Sequence, residues 1–311
     1  MTRKYDLIGD IHGHASQLRA LLERLGYREC DGVWSHPERQ VIFLGDFVDR
    51  GPEQVETVRI ARAMVEAGSA LAVMGNHEFN AVGFGTPDPD QPETYLRPHT
   101  DKNRDQHQFF LDEVGEGSPE HHAILDWFRT LPLYLDLPGL RVVHACWHPD
   151  HLAALDPWLT ETGALTAAGW VEAHRKGSSL YEAVEVVLKG QEVELPAGFS
   201  FRDKYQVERT SARLRWWADG AQGYRELAMV PDQRLRAELP DDPVPPGLLP
   251  PTDDPRPVFF GHYWFRGEPA PLTPRAACLD YSIATDRADR KLVAYRWDGE
   301  TELEADRFIW V

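Results

Sequence analysis

Five short apolar runs in this chain each end in an aspartate, asparagine or histidine, four of them directly after a glycine: Asp10, Asp46, Asn76, His144 and His262. The clearest is Val41-Ile-Phe-Leu-Gly45, followed by Asp46-Phe-Val-Asp49-Arg50-Gly51. It reads as a buried strand delivering charged groups to an active-site rim. Lys4 to Gly9 reads as an earlier strand of the same kind, ending at Asp10-Ile-His12-Gly13. From Ser16, the leucines at 18, 21, 22 and 25 follow the 3.6-residue period and Gly26 supplies a stop signal, so a helix separates the two strands. Gly51-Pro52 opens a second helix, with proline at its first position. Its face of Val55, Val58, Arg62 and Val65 is apolar apart from the arginine. Gly68 ends it, and residues 70–74 form a third strand running into Gly75-Asn76-His77-Glu78. Two successive strand–helix–strand units predict parallel strands joined by right-handed crossovers. Their carboxyl ends then emerge on one edge, where ligands bind in such sheets.

Beyond this point the pattern changes. A polar segment at about 83–108 is too long for a simple connector and is expected to run over the active-site face. A helix is predicted at about 119–130 and a fourth strand at 140–143, ending in His144. A second excursion spans about 150–256, with helical character near 162–189, strand-like character near 199–217 and a proline-rich stretch from Pro231 to Pro257. A core strand, Pro257-Val-Phe-Phe260, resumes after it and ends in Gly261-His262, so residues 1–311 are expected to form one domain carrying two excursions. Cys278 to Ile283 and Leu292 to Trp297 are expected to be an antiparallel pair closing a second sheet.

Composition narrows the function. The chain has 311 residues, enough for a sizeable core, and its 42% apolar and 27% charged residues are near the globular average. No apolar run approaches the roughly 18 to 20 residues that span a bilayer. Met1-Thr-Arg-Lys leads almost directly into the first apolar run, and the three cysteines lack any CxxC spacing, so a cytoplasmic protein with reduced thiols is expected. A formal net charge of −17 opposes binding of a nucleic-acid polymer. A small phosphorylated substrate is still admitted, because a local cation can dominate the field in a pocket.

Each strand-end residue alone has an ordinary explanation, such as a turn-forming aspartate or a hydrogen-bonded core histidine. Five together, all able to bind metal, point to a site. Oxygen and imidazole donors without thiolate suit Mn or Fe, divalent or trivalent, and accommodate Zn. Asp10 and His12, two apart, would share one face of an extended segment and grip one ion. Asn76, His144 and His262 could serve a second, with a carboxylate such as Asp46 bridging. Two ions about 3.5 to 4 Å apart can hold an attacking hydroxide and a phosphoryl oxygen together.

These blocks, Gly9-Asp-Ile-His-Gly13, Gly45-Asp-Phe-Val-Asp-Arg-Gly51, Gly75-Asn-His-Glu78, His144 and Gly261-His262, resemble those of the calcineurin-like metallophosphoesterases. The DRG ending and the NHE block look like the phosphoprotein phosphatase branch. The resemblance covers about 1–78, 139–145 and 257–297, and neither excursion. It implies a four-layer α/β/β/α sandwich with two mixed central sheets and a dinuclear site. It also implies Asp10, His12 and Asp46 on the first ion and Asp46, Asn76, His144 and His262 on the second. By the same matching, His77 protonates the leaving oxygen, Asp49 orients His77, and Arg50 binds the phosphoryl group.

Many relatives carry glycine after the fourth-block histidine, where this chain has Ala145-Cys146-Trp147-His148. The second phosphate-binding arginine of the protein phosphatases has no secure match among Arg209, Arg213 and Arg215. The leading expectation is a phosphomonoesterase of the Ser/Thr protein phosphatase type, working by in-line attack of metal-bound hydroxide. The alternative is a symmetrical hydrolase of dinucleoside polyphosphates such as diadenosine tetraphosphate, with Trp147, Tyr95 or Trp216 as base-stacking candidates. A non-catalytic scaffold on the same fold is a remote third, because such a protein should have lost ligands or the acid, and here all remain.

Overall fold

In this computed structural model, which describes residues 3–203, 206–251 and 254–311, the first strand, β1 (Lys4–Ile8), is followed by α1 (Ala15–Leu25) and β2 (Arg39–Phe43). Residues 1–2 of the amino-terminal reading, 204–205 of the strand-like stretch and 252–253 of the proline-rich stretch lie outside the described residues. The chain continues through α2 (Gln54–Glu66), β3 (Ala70–Ala72), α3 (Asn76–Phe84), α4 (Asp101–Val114) and α5 (Pro119–Phe128). After these come β4 (Tyr134–Asp136), β5 (Arg141–Val143), α6 (Ser179–Lys189), β6 (Ser211–Leu214), β7 (Val258–Phe260), β8 (Ala276–Cys278), β9 (Asp280–Tyr281), β10 (Lys291–Trp297) and β11 (Phe308–Trp310), with shorter turns of helix and hairpins between.

Strand alternation decides how these stack. Tyr5 and Leu7 of β1 share an apolar cluster with Ile42, Leu44, Val293 and Tyr295 and, from the other sheet, with Val142, Phe259 and Ala277. Their neighbours Ile8, Val41 and Phe43, and likewise Val143, Val258 and Phe260, join a different cluster that contains the buried faces of α1, α2 and α6. A period of two therefore gives each sheet one face toward the other sheet and one toward helices. The result is the four-layer α/β/β/α sandwich.

One sheet runs β9-β10-β1-β2-β3, with β11 on β10, and the other β8-β7-β5-β4. β1, β2 and β3 are parallel, with Ile8 level with Phe43 and Phe43 with Ala72. β5, β7 and β8 are also parallel, with Phe259 level with Val142. All five metal-competent strand ends therefore leave their sheets in matching register. The carboxy-terminal strands form the expected antiparallel pair, Asp280 level with Leu292, but in the other sheet. β10 does not close the second sheet; it lies antiparallel to β1 in the first. Ala276–Cys278 peels off to run parallel to β7. The fully buried Ala294 and Tyr295 can serve a central strand as well as an edge, so burial pattern alone does not choose the sheet.

Helix α2 begins two residues after Pro52, not at it. Glu53 accepts the Ser16 amide at 2.8 Å, while the Gln54 side chain accepts the Asp49 amide and bonds Gly51 O. These contacts hold Glu53 at φ −131°, ψ 59°, outside helical geometry. Helix α3 carried no amphipathic stripe because nearly all of its residues are buried.

One consequence for stability arises from α3. His174 stacks on Phe79 at 4.3 Å and donates from Nδ1 to Trp170 O at 2.8 Å, and burial pushes its pKa down to about 4. The unfolded chain binds this proton from about pH 6.5 downward, so the folded state loses stability across about pH 6.5 to 4 and is unaffected by this group above that window. The expected slope is up to about 1.4 kcal/mol per pH unit. Denaturant midpoints measured across that range should show it, and His174→Phe should remove its share.

Candidate active site

The loop after each parallel strand folds onto the next. Asp46 O accepts the amides of Ile11 and His12 at 3.0 and 2.8 Å, tying the first loop to the second. The buried Glu78 carboxylate accepts the amides of Asp46, Phe47 and Gly75 at 2.8, 2.7 and 3.0 Å, tying the second to the third. Asp10 Oδ2 accepts the His262 amide at 3.0 Å and brings in the other sheet. A Cβ at Gly261 would collide with Asp10 Oδ1, and one at Gly75 with Asp46 Oδ1, so glycine before the metal-competent residue is a packing requirement. His12, Asp46, Asp49, Arg50 and His262 all adopt left-handed backbone, with φ of 49, 53, 70, 82 and 72°. Such conformations cost roughly 1 to 2 kcal/mol each and cluster at functional sites. For His12 this corrects the expected geometry: the chain turns at His12, so Asp10 and His12 do not share a face of an extended strand, and Asp10 falls in neither of the close donor groups found among the described residues.

Asp46 stands at the centre. Its Oδ1 accepts the His77 amide at the start of α3 at 3.0 Å. Its Oδ2 faces three imidazole nitrogens: Nε2 of His12 at 3.5 Å, His144 at 3.5 Å and His77 at 3.9 Å. Donors from His12, Asp46 and His77 lie within 4.8 Å of one another, as do those of Asp46, His144 and His262. Asn76 Oδ1 is 3.1 Å from His144 Nε2. His12 Nδ1 donates to Val48 O at 3.0 Å and His144 Nδ1 to Leu44 O at 2.7 Å, which turns both Nε2 atoms toward the Asp46 carboxylate.

These residues fit a pair of cations. Donors bound to one ion at about 2.1 Å stand about 3 to 3.5 Å apart, close to the spacing around Asp46 Oδ2. Asp10 Oδ1 and His262 Nε2 are buried without a hydrogen-bond partner among the described residues. Burial, reinforced by Asp280, raises the Asp10 pKa, a cost that a bound cation would offset. Burial and then the Arg213 guanidinium hold the His262 pKa well below its usual value, keeping the ring neutral as a ligand must be.

Beside the donors, His77 Nδ1 donates to Asp49 Oδ2 at 2.5 Å. The Arg50 guanidinium lies 6.0 Å from the Trp264 ring centre, and its buried Nε has no hydrogen-bond partner among the described residues. Arg50 lines a cavity of about 390 Å³ with Lys102 and Gln106 of α4 and with Val207 and Arg209. Among the three candidate arginines, Arg213 on β6 is the one beside His262, and its Nε is likewise buried and unpartnered. Arg209 pairs with Asp203.

Other readings shift. His148 is buried and bonds Gly247 O at 3.1 Å. Trp216 donates to Ala145 O and Tyr263 Oη inside the core, and Tyr95 stacks on His99 at 3.9 Å. Cys146 is a fully buried thiol whose pKa burial raises. His107 and Asp280 were not singled out from sequence. His107 heads the buried stripe His107, Phe110, Leu111 and Val114 of α4, a helical spacing that could have marked it as inward-facing, and Asp280 lies within a predicted strand.

A family model described as calcineurin-like phosphoesterase matches residues 4–230. Similarity extends to the asymmetrical bis(5'-nucleosyl)-tetraphosphatase PrpE of Oceanobacillus iheyensis, 29% identical over 164 residues, 52% of this chain and 63% of that one. The match thus spans less than two thirds of that relative's length. A longer match joins the chain to a symmetrical bis(5'-nucleosyl)-tetraphosphatase of Methylobacillus flagellatus, 28% identical over 265 residues, 82% of this chain and 80% of that one. Among solved structures, a cold-active protein-tyrosine phosphatase of a psychrophilic Shewanella species superposes with TM-score 0.50 at 16% identity, covering 96% of this chain and 80% of the other, a likeness of fold.

Proposed function

The chain belongs to the calcineurin-like phosphoesterase family and is a hydrolase of phosphate bonds, and from that premise we propose that it cleaves dinucleoside polyphosphates symmetrically at a dinuclear metal centre. The observation that carries the substrate reading is the match to a symmetrical bis(5'-nucleosyl)-tetraphosphatase over 82% of the chain. The phosphomonoester reading, the leading expectation from sequence, rests on the DRG and NHE blocks alone. The cavity beside Arg50 has Lys102, Arg209 and Asp105 on its wall, with Arg209 paired to Asp203, so its charge is mixed and the substrate reading rests on the match to the relative.

In this proposal Asp10, His12 and Asp46 hold one ion and Asp46, Asn76, His144 and His262 the other, with Mn or Fe as the metals and Zn also accommodated. Bound ions supply Lewis acidity toward the phosphoryl oxygens and a nucleophile at neutral pH. Arg50 and Arg213 bring two guanidiniums to the phosphoryl group, and both have a buried Nε free of other partners. His77 gives a proton to the leaving oxygen from Nε2, because its Nδ1–H is committed to Asp49. Burial acts against the charged imidazole, but Asp46 and Asp49 outweigh it and raise the His77 pKa. The two excursions, about 83–108 and 150–256, form part of this single domain and shape the substrate pocket. Among the described residues no helix is long and apolar enough to cross a membrane, and the free thiols Cys30, Cys146 and Cys278 fit a reducing cytoplasm.

Turnover of diadenosine tetraphosphate, a phosphopeptide and p-nitrophenyl phosphate in Mn tests the reading. The dinucleotide is expected to give two nucleoside diphosphates with kcat/KM at least about a hundredfold above the phosphopeptide, a difference of about 2.7 kcal/mol in transition-state binding. Preference for the phosphopeptide, or release of a triphosphate and a monophosphate, would contradict it.

A further inference from the structure

We propose that His107 is a positioning residue for the proton donor, extending the His77–Asp49 pair into a chain His77–Asp49–His107; this rests on His77 being the donor. His107 lies on α4, in the segment leading out of the first excursion, 30 residues after His77. Its Nδ1 donates to Asp49 Oδ1 at 2.7 Å, while His77 Nδ1 takes the other oxygen, Oδ2, at 2.5 Å. Both rings are held by one buried carboxylate, Asp49 being 2% exposed and His107 4%.

Geometry makes the second histidine necessary. A carboxylate bound at one oxygen turns freely about its terminal torsion, which has a broad, two-fold profile. Asp49 also sits on a left-handed backbone, φ 70°, outside any helix or strand, where regular structure gives it no support. Three contacts fix it instead: its amide donates to Gln54 Oε1 at 2.7 Å, and each carboxylate oxygen accepts one imidazole N–H. His107 is itself seated by Phe110 at 5.0 Å and Phe84 at 5.7 Å between ring centres. With the Asp49 plane locked, the His77 ring has one orientation and its Nε2 one direction, toward Asp46 Oδ2 and the candidate ions. Removing His107 leaves a buried carboxylate oxygen unpaired, and it must turn toward another donor. The excursion thereby enters the chemistry through Asp49 as well as shaping the pocket.

The test compares phenyl phosphate, whose leaving oxygen needs a proton, with p-nitrophenyl phosphate, whose more acidic leaving group barely does. In His107→Ala, kcat on phenyl phosphate should fall about tenfold more than on p-nitrophenyl phosphate, with KM little changed. His107→Asn, whose amide N–H stands near the place of Nδ1, should restore most of the lost rate. The ratio of the two rates is independent of how much of each preparation is folded. Equal losses on both substrates, a change in KM alone, or no rescue by asparagine would overturn the inference. His77→Ala is run alongside: a shifted ratio there with an unshifted one in His107→Ala overturns the inference alone, whereas an unshifted ratio in His77→Ala overturns the donor role and the inference together.

Discussion

Asp46→Asn should lower kcat/KM by at least about a thousandfold, a loss near 4 kcal/mol, even with saturating divalent metal. The size follows from position. Oδ2 faces Nε2 of His12, His144 and His77 at 3.5, 3.5 and 3.9 Å, so one atom completes the donor groups on both sides. An amide in its place either presents N–H hydrogens to those nitrogens or offers a neutral oxygen, and both proposed ions lose their shared negative ligand. The fold should survive, because the amide oxygen can still accept the His77 N–H that Oδ1 accepts now. Steady-state kinetics on p-nitrophenyl phosphate, with far-ultraviolet circular dichroism to confirm folding, measure the effect. A variant within tenfold of the parent would refute the bridging role.

The second large effect is expected for His77→Ala, and its size should depend on the leaving group. General-acid catalysis contributes roughly a hundred- to ten-thousandfold where the leaving oxygen is basic. On a serine phosphopeptide the departing alkoxide needs the full proton, and kcat should fall toward the upper end of that range. On a dinucleoside tetraphosphate the departing group is a nucleoside diphosphate, whose terminal phosphate ionises near about 6, and the loss should be near the lower end. KM should move little on either substrate, since His77 is proposed to act in the transition state. Uniform losses on both substrates would place His77 in metal binding instead, a role its 3.9 Å approach to Asp46 makes a fair competitor.

The strand ends were legible because each combines a local signal with a repeated one. An apolar run fixes the strand, and glycine followed by Asp, Asn or His marks the place where the backbone must turn tightly beside another loop. Gly45, Gly75 and Gly261 carry that reading, since a Cβ at any of them would strike Gly75, Asp46 or Asp10 respectively. What stayed illegible depends on contacts between distant segments. His107 meets Asp49 across 58 positions of sequence, and although it shares the buried stripe of its helix with Phe110, Leu111 and Val114, no local signal names the carboxylate it meets. Arg213 was one of three similar arginines, and only the folded chain brings its charge to bear on His262. The swap of the carboxy-terminal strands between sheets has the same origin. Ala294 and Val293 are both fully buried, and a strand apolar on both faces does not declare which sheet it joins.

In the proposed function, five loops from two sheets build a dinuclear centre around Asp46. Crystals grown with Mn and measured across its absorption edge test this most directly, because anomalous scattering locates the metal independently of substrate and of kinetics. Two peaks about 3.5 to 4 Å apart are expected, with Asp46 between them, His12 and Asp10 on one side and Asn76, His144 and His262 on the other. A single peak, or two peaks that Asp46 does not touch, would contradict it.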